Sequence, residues 1–322
     1  MRAAVITAHG MAPSAAEHPA PTRSPGQALI RVSAAPITPL DLLCASGTSY
    51  FGAPPLPYVP GVQGVGEVVE SDSIPSGSRV WFPTAAGMQP GDGSMGERAV
   101  AAEHELVVLP DDADEAQVAA LGLSSVAAWM ALTWRAGLRE GEQVLVLGAG
   151  GVVGQSAVQA AQRLGARRVV AACRSESAQR RAAEAGADGV VPLVDGEEAG
   201  SLTARLREAC DGPVDVVVDP LCGVPATAAA ALLGHRGRLV NLGSSAGETA
   251  LFGSAQLRSR TASILGYTNN DITDEQRRDA LLAVLRHGIS VGHDVVPLDD
   301  VTSAWTAQAS GRAAQRLVVR VS

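Results

Sequence analysis

The chain has 322 residues, of which 46% are hydrophobic and 18% charged, and its formal net charge at pH 7 is −8. This length accommodates about two globular domains, and the composition excludes a disordered chain. The positive charges are arginines scattered singly or in pairs, so no nucleic-acid surface is indicated. No apolar run approaches the ~18 residues of a membrane span and no signal peptide is apparent. We therefore expect a cytoplasmic protein without a membrane or nucleic-acid partner.

The cysteines of the chain stand alone, without a C-x-x-C pair and without a histidine at ligand spacing. They are Cys44, Cys173, Cys210 and Cys222. This pattern predicts neither a zinc site nor a disulfide framework, so we expect no metal. Lysine is absent, which excludes Schiff-base chemistry.

The N-terminal part, residues 1–112, consists of short Val- and Ile-rich runs separated by Gly- and Pro-rich turns. This pattern predicts short strands in a β-barrel-like domain. An Ala- and Leu-rich segment over 114–138 follows, with acidic residues at its start and Gly137 at its end, which predicts a helix.

From Gln143 onward, apolar strands alternate with helical segments, which predicts a parallel, doubly wound α/β sheet. The last stretch contains helices at 274–285 and 301–310 and a closing strand over 316–321. We expect this tail to return to the first domain. The predicted division is a nucleotide-binding domain over 113–254, inserted into a domain formed by 1–112 and 255–322.

A glycine-rich loop lies between the first strand and the first helix of the alternating region. Gly148, Gly151 and Gly154 form a G-x-x-G-x-x-G pattern, with Val152 and Val153 between the last two glycines. Small residues let the backbone approach a pyrophosphate, whose charge a helix N-terminus stabilises. The alternative is a plain turn, but the βα units that follow favour dinucleotide binding.

Cofactor choice depends on the end of the second strand of that sheet, where NAD enzymes usually place Asp or Glu. Here Arg174 and Ser175 occupy this place. Arg174 can pair with a 2′-phosphate and Ser175 can donate a hydrogen bond, so we predict NADPH as the cofactor. In the alternative, Arg174 is only a solvated surface residue.

Several motifs together resemble the medium-chain dehydrogenase/reductase superfamily, in its quinone oxidoreductase-like branch. They are the segments 35–41, 46–50 and 57–68, the glycine loop, and Ala185-Gly186-Ala187-Asp188. The resemblance runs nearly from end to end and implies a GroES-like β-barrel catalytic domain beside a Rossmann domain.

The resemblance also has informative departures. Zinc-dependent relatives place Cys where this chain has Thr38, and a His-Glu pair where it has Val62-Gln63, and their four-cysteine lobe is missing. The resemblance therefore implies a zinc-independent reductase that transfers hydride from NADPH to a quinone or an α,β-unsaturated carbonyl. Such conjugated acceptors spread the developing charge onto oxygen without a Lewis acid.

The remaining candidate site residues come from the resemblance and from their places at strand ends. Tyr50 is the candidate hydrogen-bond donor to the substrate, with Thr38 a weaker candidate. Leu242, Gly243 and Ser244 follow a predicted strand at the edge where cofactors bind. Arg312 aligns with an arginine of the branch. Tyr50 as barrel-rim packing and Arg312 as a surface residue remain the alternatives.

Two other functions stay open for the sequence. One is an enoyl-thioester reductase of the polyketide or fatty-acid type, and the other is a non-catalytic NADPH-binding sensor. In each reading the partner is a small molecule. We also expect a homodimer, because the late strand over 263–268 could pair with its copy in a second subunit.

Overall fold

The computed structural model describes residues 1–49 and 51–321. The strands are β1 Arg2–Val5, β2 Ser14–Glu17, β3 Gln27–Pro36, β4 Gln63–Glu70, β5 Arg79–Pro83, β6 Arg98–Ala102, β7 Val107–Val108, β8 Gln143–Leu147, β9 Arg168–Cys173, β10 Gly189–Pro192, β11 Val214–Asp219, β12 Leu233–Asn241, β13 Ser263–Gly266, β14 His293–Pro297 and β15 Arg316–Arg320. The α-helices are α1 Pro39–Ala45, α2 Glu115–Met130, α3 Val152–Arg163, α4 Glu176–Glu184, α5 Ala199–Ala209, α6 Gly223–Ala230, α7 Ser254–Arg260, α8 Asp274–Arg286 and α9 Val301–Ala309.

The chain forms two compact units, one of Met1–Leu123 with Ser290–Ser322 and one of Ser124–Ile289. The first unit contains a mainly antiparallel sheet in the order β14-β15-β3-β4-β5-β7, with β6 also paired to β3, and a separate β1-β2 pair. Residues of β3 alternate between buried and more exposed positions, as a strand with one covered face does. The strand β15 pairs antiparallel with β3, so the C-terminal segment completes this sheet.

The second unit is built on a six-stranded sheet in the order β10-β9-β8-β11-β12-β13. All five pairings are parallel, and in order of appearance the strands run 3-2-1-4-5-6, the order of the Rossmann fold. Every residue of β8 is buried, as expected for a strand covered on both faces by crossover helices. The α/β fold predicted from the alternating pattern is confirmed.

The boundaries of the units differ from the predicted domain division. The second unit extends to Ile289 rather than to 254, because β13 joins the sheet beside β12 and α8 follows with its apolar side buried. The boundary at the start of the second unit follows Leu123, which lies inside α2, rather than residue 112. Next to that point Gly122 has φ 32° and ψ −133°, which interrupts the helix.

In contrast to the expectation from the sequence, one helical stretch is long and apolar enough to cross a membrane. It spans Glu115–Arg135, with α2 continuing into a π-helical turn over Ala131–Arg135. Ser and Gln interrupt its apolar residues, which is why no unbroken run was visible. Of the most apolar 18-residue window of this stretch, 67% is buried inside the protein, as in the core helix of a globular fold.

Candidate functional site

The glycine loop connects β8 to α3, as predicted. Gly148 has φ +62°, a left-handed conformation that glycine adopts without strain. Gly151 is the N-cap of α3, and no side chain caps this helix start. The first-turn N–H groups, including those of Val152 and Val153, therefore lack intrahelical acceptors and can bind an anion.

Close packing explains why glycine is needed at other positions of the loop. A Cβ at Gly154 would lie 2.4 Å from Cα of Ala149, and one at Gly150 would lie 2.2 Å from Cβ of Ala178. A Cβ at Gly151 would meet only the Gly148 carbonyl oxygen, at 3.6 Å. The loop thus presses against the protein on one side and is open at Gly151. This open helix start fits a pyrophosphate.

Arg174 and Ser175 follow β9 and have different roles in the structure. The Arg174 side chain is 74% exposed, and its Nη1 lies 4.0 Å from Oδ1 of Asp195. The Ser175 Oγ caps α4 by accepting a hydrogen bond from the backbone N–H of Ala178 at 3.2 Å. Arg174 is available to a ligand, whereas the Ser175 hydroxyl already has a structural task.

A cavity of about 550 Å³ opens at the carboxyl edge of the parallel sheet. Segments that follow β9, β10, β11 and β12 contribute to its lining, which is where ligands bind in open parallel sheets. The lining residues are Arg174, Leu193, Val194, Asp195, Gly196, Glu197, Leu202, Leu221, Val224, Pro225, Ser245, Ala246 and Gly247. Apolar walls with a few charged groups suit an adenosine moiety.

Asp219, at the end of β11, lies two residues before Leu221, which lines this cavity. Its buried carboxylate accepts hydrogen bonds from the N–H groups of Leu221 and Cys222 and from Nδ2 of Asn241. Burial raises the pKa of Asp219, and these three donors oppose the rise. A Cβ at Gly148 would contact the Leu221 side chain at 3.0 Å, so Asp219 indirectly holds a neighbour of the loop.

The predicted segment Leu242-Gly243-Ser244 lies at the same edge. The Leu242 N–H donates to the Asp219 carbonyl oxygen, and a Cβ at Gly243 would lie 2.7 Å from the Pro220 carbonyl oxygen. The Ser244 hydroxyl donates to Glu248 at 2.8 Å. This segment follows β12 at the sheet edge where the glycine loop follows β8 and Arg174 follows β9, and all three lie in the second unit.

In the first unit, the Thr38 hydroxyl is engaged at the start of α1. It donates to Oδ2 of Asp41 at 2.6 Å, and Thr38 and Asp41 together form a capping box. Asp41 also accepts from the N–H groups of Gly61 and Val62. Burial raises the pKa of Asp41, while the hydrogen bonds from Thr38 and from the Val62 N–H and the charge of Arg316 oppose the rise. A contact between Thr38 and substrate stays a prediction.

The sequence also predicts Tyr50 and Arg312 as site residues. Tyr50 lies outside the described residues. Arg312 is exposed just after α9, and its backbone N–H donates to the Ala307 carbonyl oxygen. A contact of either residue with cofactor or substrate stays a prediction.

The positions where the resemblance implies zinc ligands do not fit zinc. The Thr38 hydroxyl is bound to Asp41, and Val62 is a buried apolar residue. Oε1 of Gln63 accepts from Nε1 of Trp81 and from the Leu123 N–H, and its Nε2 is a donor that would repel a cation. Among residues 1–49 and 51–321, no three His, Cys, Asp or Glu side chains form a metal-binding group. No step of the chemistry is assigned to zinc.

Sequence reasoning missed three acidic residues at this edge, Asp195, Glu197 and Asp219. Asp219 ends one predicted strand, and the other two follow the next strand after Arg174. Because the carboxyl ends of parallel strands share one edge, their positions after those strands were the available signal.

Comparison with known proteins gives matches along most of the chain. Residues 24–111 match the alcohol dehydrogenase GroES-like domain, and residues 152–285 match the zinc-binding dehydrogenase family. The quinone oxidoreductase of Pongo abelii is 31% identical over 270 residues, which cover 83% of this chain and 78% of that protein. The polyketide synthase GfsB of Streptomyces halstedii is 33% identical over 222 residues, 68% of this chain but 4% of that protein.

Solved structures show the same fold. A mycobacterial quinone oxidoreductase superimposes with a TM-score of 0.87 at 23% identity, covering 99% of each chain. A mycobacterial structure solved with NADPH gives a TM-score of 0.85 at 24% identity, also over 99% of each chain. The fold and the resemblance stated from the motifs are confirmed. The chain belongs to the medium-chain dehydrogenase/reductase superfamily of oxidoreductases, in its quinone oxidoreductase-like branch.

Proposed function

We propose that the protein is a zinc-independent reductase that uses NADPH to reduce a quinone or an α,β-unsaturated carbonyl. The observation that carries the NADPH assignment is the position of Arg174 in the lining of the cavity at the carboxyl edge of the sheet. The similarity to quinone oxidoreductases supports the class of acceptor.

The residues of the second unit divide the work of holding NADPH. The open start of α3 at Gly151 binds the pyrophosphate, and Arg174 pairs with the 2′-phosphate. Leu221 and Val224 provide apolar walls for the adenosine. Leu242, Gly243 and Ser244 continue the cofactor contacts along the same edge. When bound, NADPH supplies the hydride.

In this proposal, residues of the N-terminal part of the chain contact the acceptor. Tyr50 donates a hydrogen bond to the oxygen that becomes negative as the acceptor takes up hydride. Thr38 contributes by holding α1 through its capping box and is the secondary candidate for a substrate contact. Arg312 is the candidate for a further cofactor contact.

A second candidate function is reduction of an enoyl thioester. The match to 222 residues of a polyketide synthase favours it. The chemistry is the same hydride transfer to a conjugated carbonyl, so the same residues would serve. The non-catalytic NADPH-binding sensor is the alternative if no acceptor is reduced.

We further propose a cytoplasmic homodimer. All four cysteines are free thiols, as is usual in a reducing compartment. The strand β13 ends the order of the parallel sheet, and in the described chain its outer edge pairs with no other strand, so a second copy can extend the sheet there. A monomer mass in light scattering would reject the dimer.

An acceptor panel tests the reaction. Purified protein is mixed with NADPH and with quinones, short enones or enoyl thioesters, and loss of NADPH absorbance is followed. Fast turnover of quinones or enones supports the main proposal, and turnover of thioesters alone supports the second candidate. NADPH binding without any turnover favours the sensor.

A further inference from the structure

The cavity that we assign to adenosine has opposite charges where the segments after β9 and β10 line it, and we call this part of the cavity its mouth. Arg174 follows β9 and Asp195 follows β10, with Nη1 and Oδ1 4.0 Å apart. These side chains are 74% and 90% exposed, so both are accessible to a ligand. Parallel pairing of β9 with β10 brings their ends together.

The second carboxylate of the lining, Glu197, is engaged differently. Its Oε1 accepts from Nε of Arg205 at 2.9 Å, and its Oε2 accepts from Nη2 of the same guanidinium. The Glu197 charge is therefore balanced by Arg205. Asp195 is the lining carboxylate that faces Arg174.

A 2′-phosphate at this mouth would be attracted by Arg174 and repelled by Asp195. Asp195 also partly neutralises the guanidinium that is meant to bind the phosphate. The charges of Arg174 and Asp195, 4.0 Å apart in water, interact by about 1 kcal/mol. A competing interaction of this size lowers the affinity for the 2′-phosphate about fivefold. Salt screening of exposed groups reduces this to about threefold at physiological ionic strength.

We propose that Asp195 is a specificity-determining residue that lowers the affinity of the cavity for 2′-phosphorylated adenosine. The inference rests on the proposed NADPH function. Arg174 selects the 2′-phosphate, and Asp195 limits how strongly it does so. The difference in affinity between NADPH and NADH is accordingly smaller than Arg174 alone would give.

Calorimetric titration of the full chain with 2′,5′-ADP and with 5′-AMP tests this inference. Asp195→Asn should tighten 2′,5′-ADP about threefold and leave 5′-AMP unchanged, and the gain should shrink as salt is raised. Glu208→Gln is the matched control. It removes one exposed acid of the same unit that does not line the cavity, and it should change neither affinity.

Two other outcomes have distinct meanings. If Asp195→Asn leaves 2′,5′-ADP unchanged, or weakens 5′-AMP as a ribose-binding carboxylate would, the inference is overturned. The Arg174→Ala variant tests the proposed function separately. If it weakens 2′,5′-ADP no more than 5′-AMP, the NADPH assignment itself fails.

Discussion

Substitution of Gly151 by alanine separates cofactor binding from folding. The backbone there has φ −84° and ψ 170°, which alanine adopts without strain. The added methyl group would meet only the Gly148 carbonyl oxygen at 3.6 Å, an ordinary contact. We expect the free energy of unfolding to change by less than about 1 kcal/mol.

The same methyl group would occupy the open side of the loop, where we place the pyrophosphate. Loss of one hydrogen bond to a charged group costs about 1.5–3 kcal/mol, which weakens NADPH binding about tenfold to a hundredfold. Fluorescence titration with NADPH and chemical denaturation measure the two effects on the same sample.

Gly154→Ala is the contrasting variant. Its Cβ would lie 2.4 Å from Cα of Ala149, so α3 or the glycine loop must shift at a cost of about 1–3 kcal/mol in stability. If Gly151→Ala binds NADPH as tightly as the parent while remaining folded, the loop is not the pyrophosphate site.

Three more predictions follow from single side chains. Arg174→Ala should weaken NADPH about fivefold to tenfold and leave NADH nearly unchanged, and equal losses in titration would contradict the 2′-phosphate contact. Cys222 has φ 57° and ψ −154°, a region suited to glycine, so Cys222→Gly should raise the free energy of unfolding by about 1 kcal/mol. A lower denaturation midpoint would contradict that strain. Burial works against ionisation of Glu142, but the Arg238 ion pair and the Arg139 N–H hold its pKa below the ordinary 4.5. The stabilisation by Glu142 is therefore complete above about pH 4.5 and is lost as the pH falls through the folded pKa. Glu142→Gln should thus lower the free energy of unfolding by about 2 kcal/mol at pH 7, and by less at acidic pH. A difference between variant and parent that does not change with pH would contradict the role of the ion pair.

The parallel sheet and the glycine loop could be predicted because their signals are local. Buried strands followed by helices indicate the parallel sheet. Glycine is required at Gly154 because a Cβ there would lie 2.4 Å from Cα of Ala149. The position of Arg174 followed from the same logic, since it directly follows a strand. Each of these features depends on residues adjacent in sequence.

Features that depend on contacts between separate segments of the chain could not be predicted from the sequence. The sequence predicts a late sheet strand over 263–268, but the predicted boundary at 254 leaves that strand outside the nucleotide-binding domain, whereas its pairing with β12 places it in the second unit. Asp195 reaches Arg174 only because β9 and β10 are neighbours.

We propose that this chain is an NADPH-dependent reductase that works without zinc. The most direct measurement compares kcat/KM for NADPH and NADH with the best quinone or enone, with and without a metal chelator. We expect a higher kcat/KM for NADPH than for NADH, and no effect of the chelator on either value. A preference for NADH, or loss of activity on chelation, would contradict it.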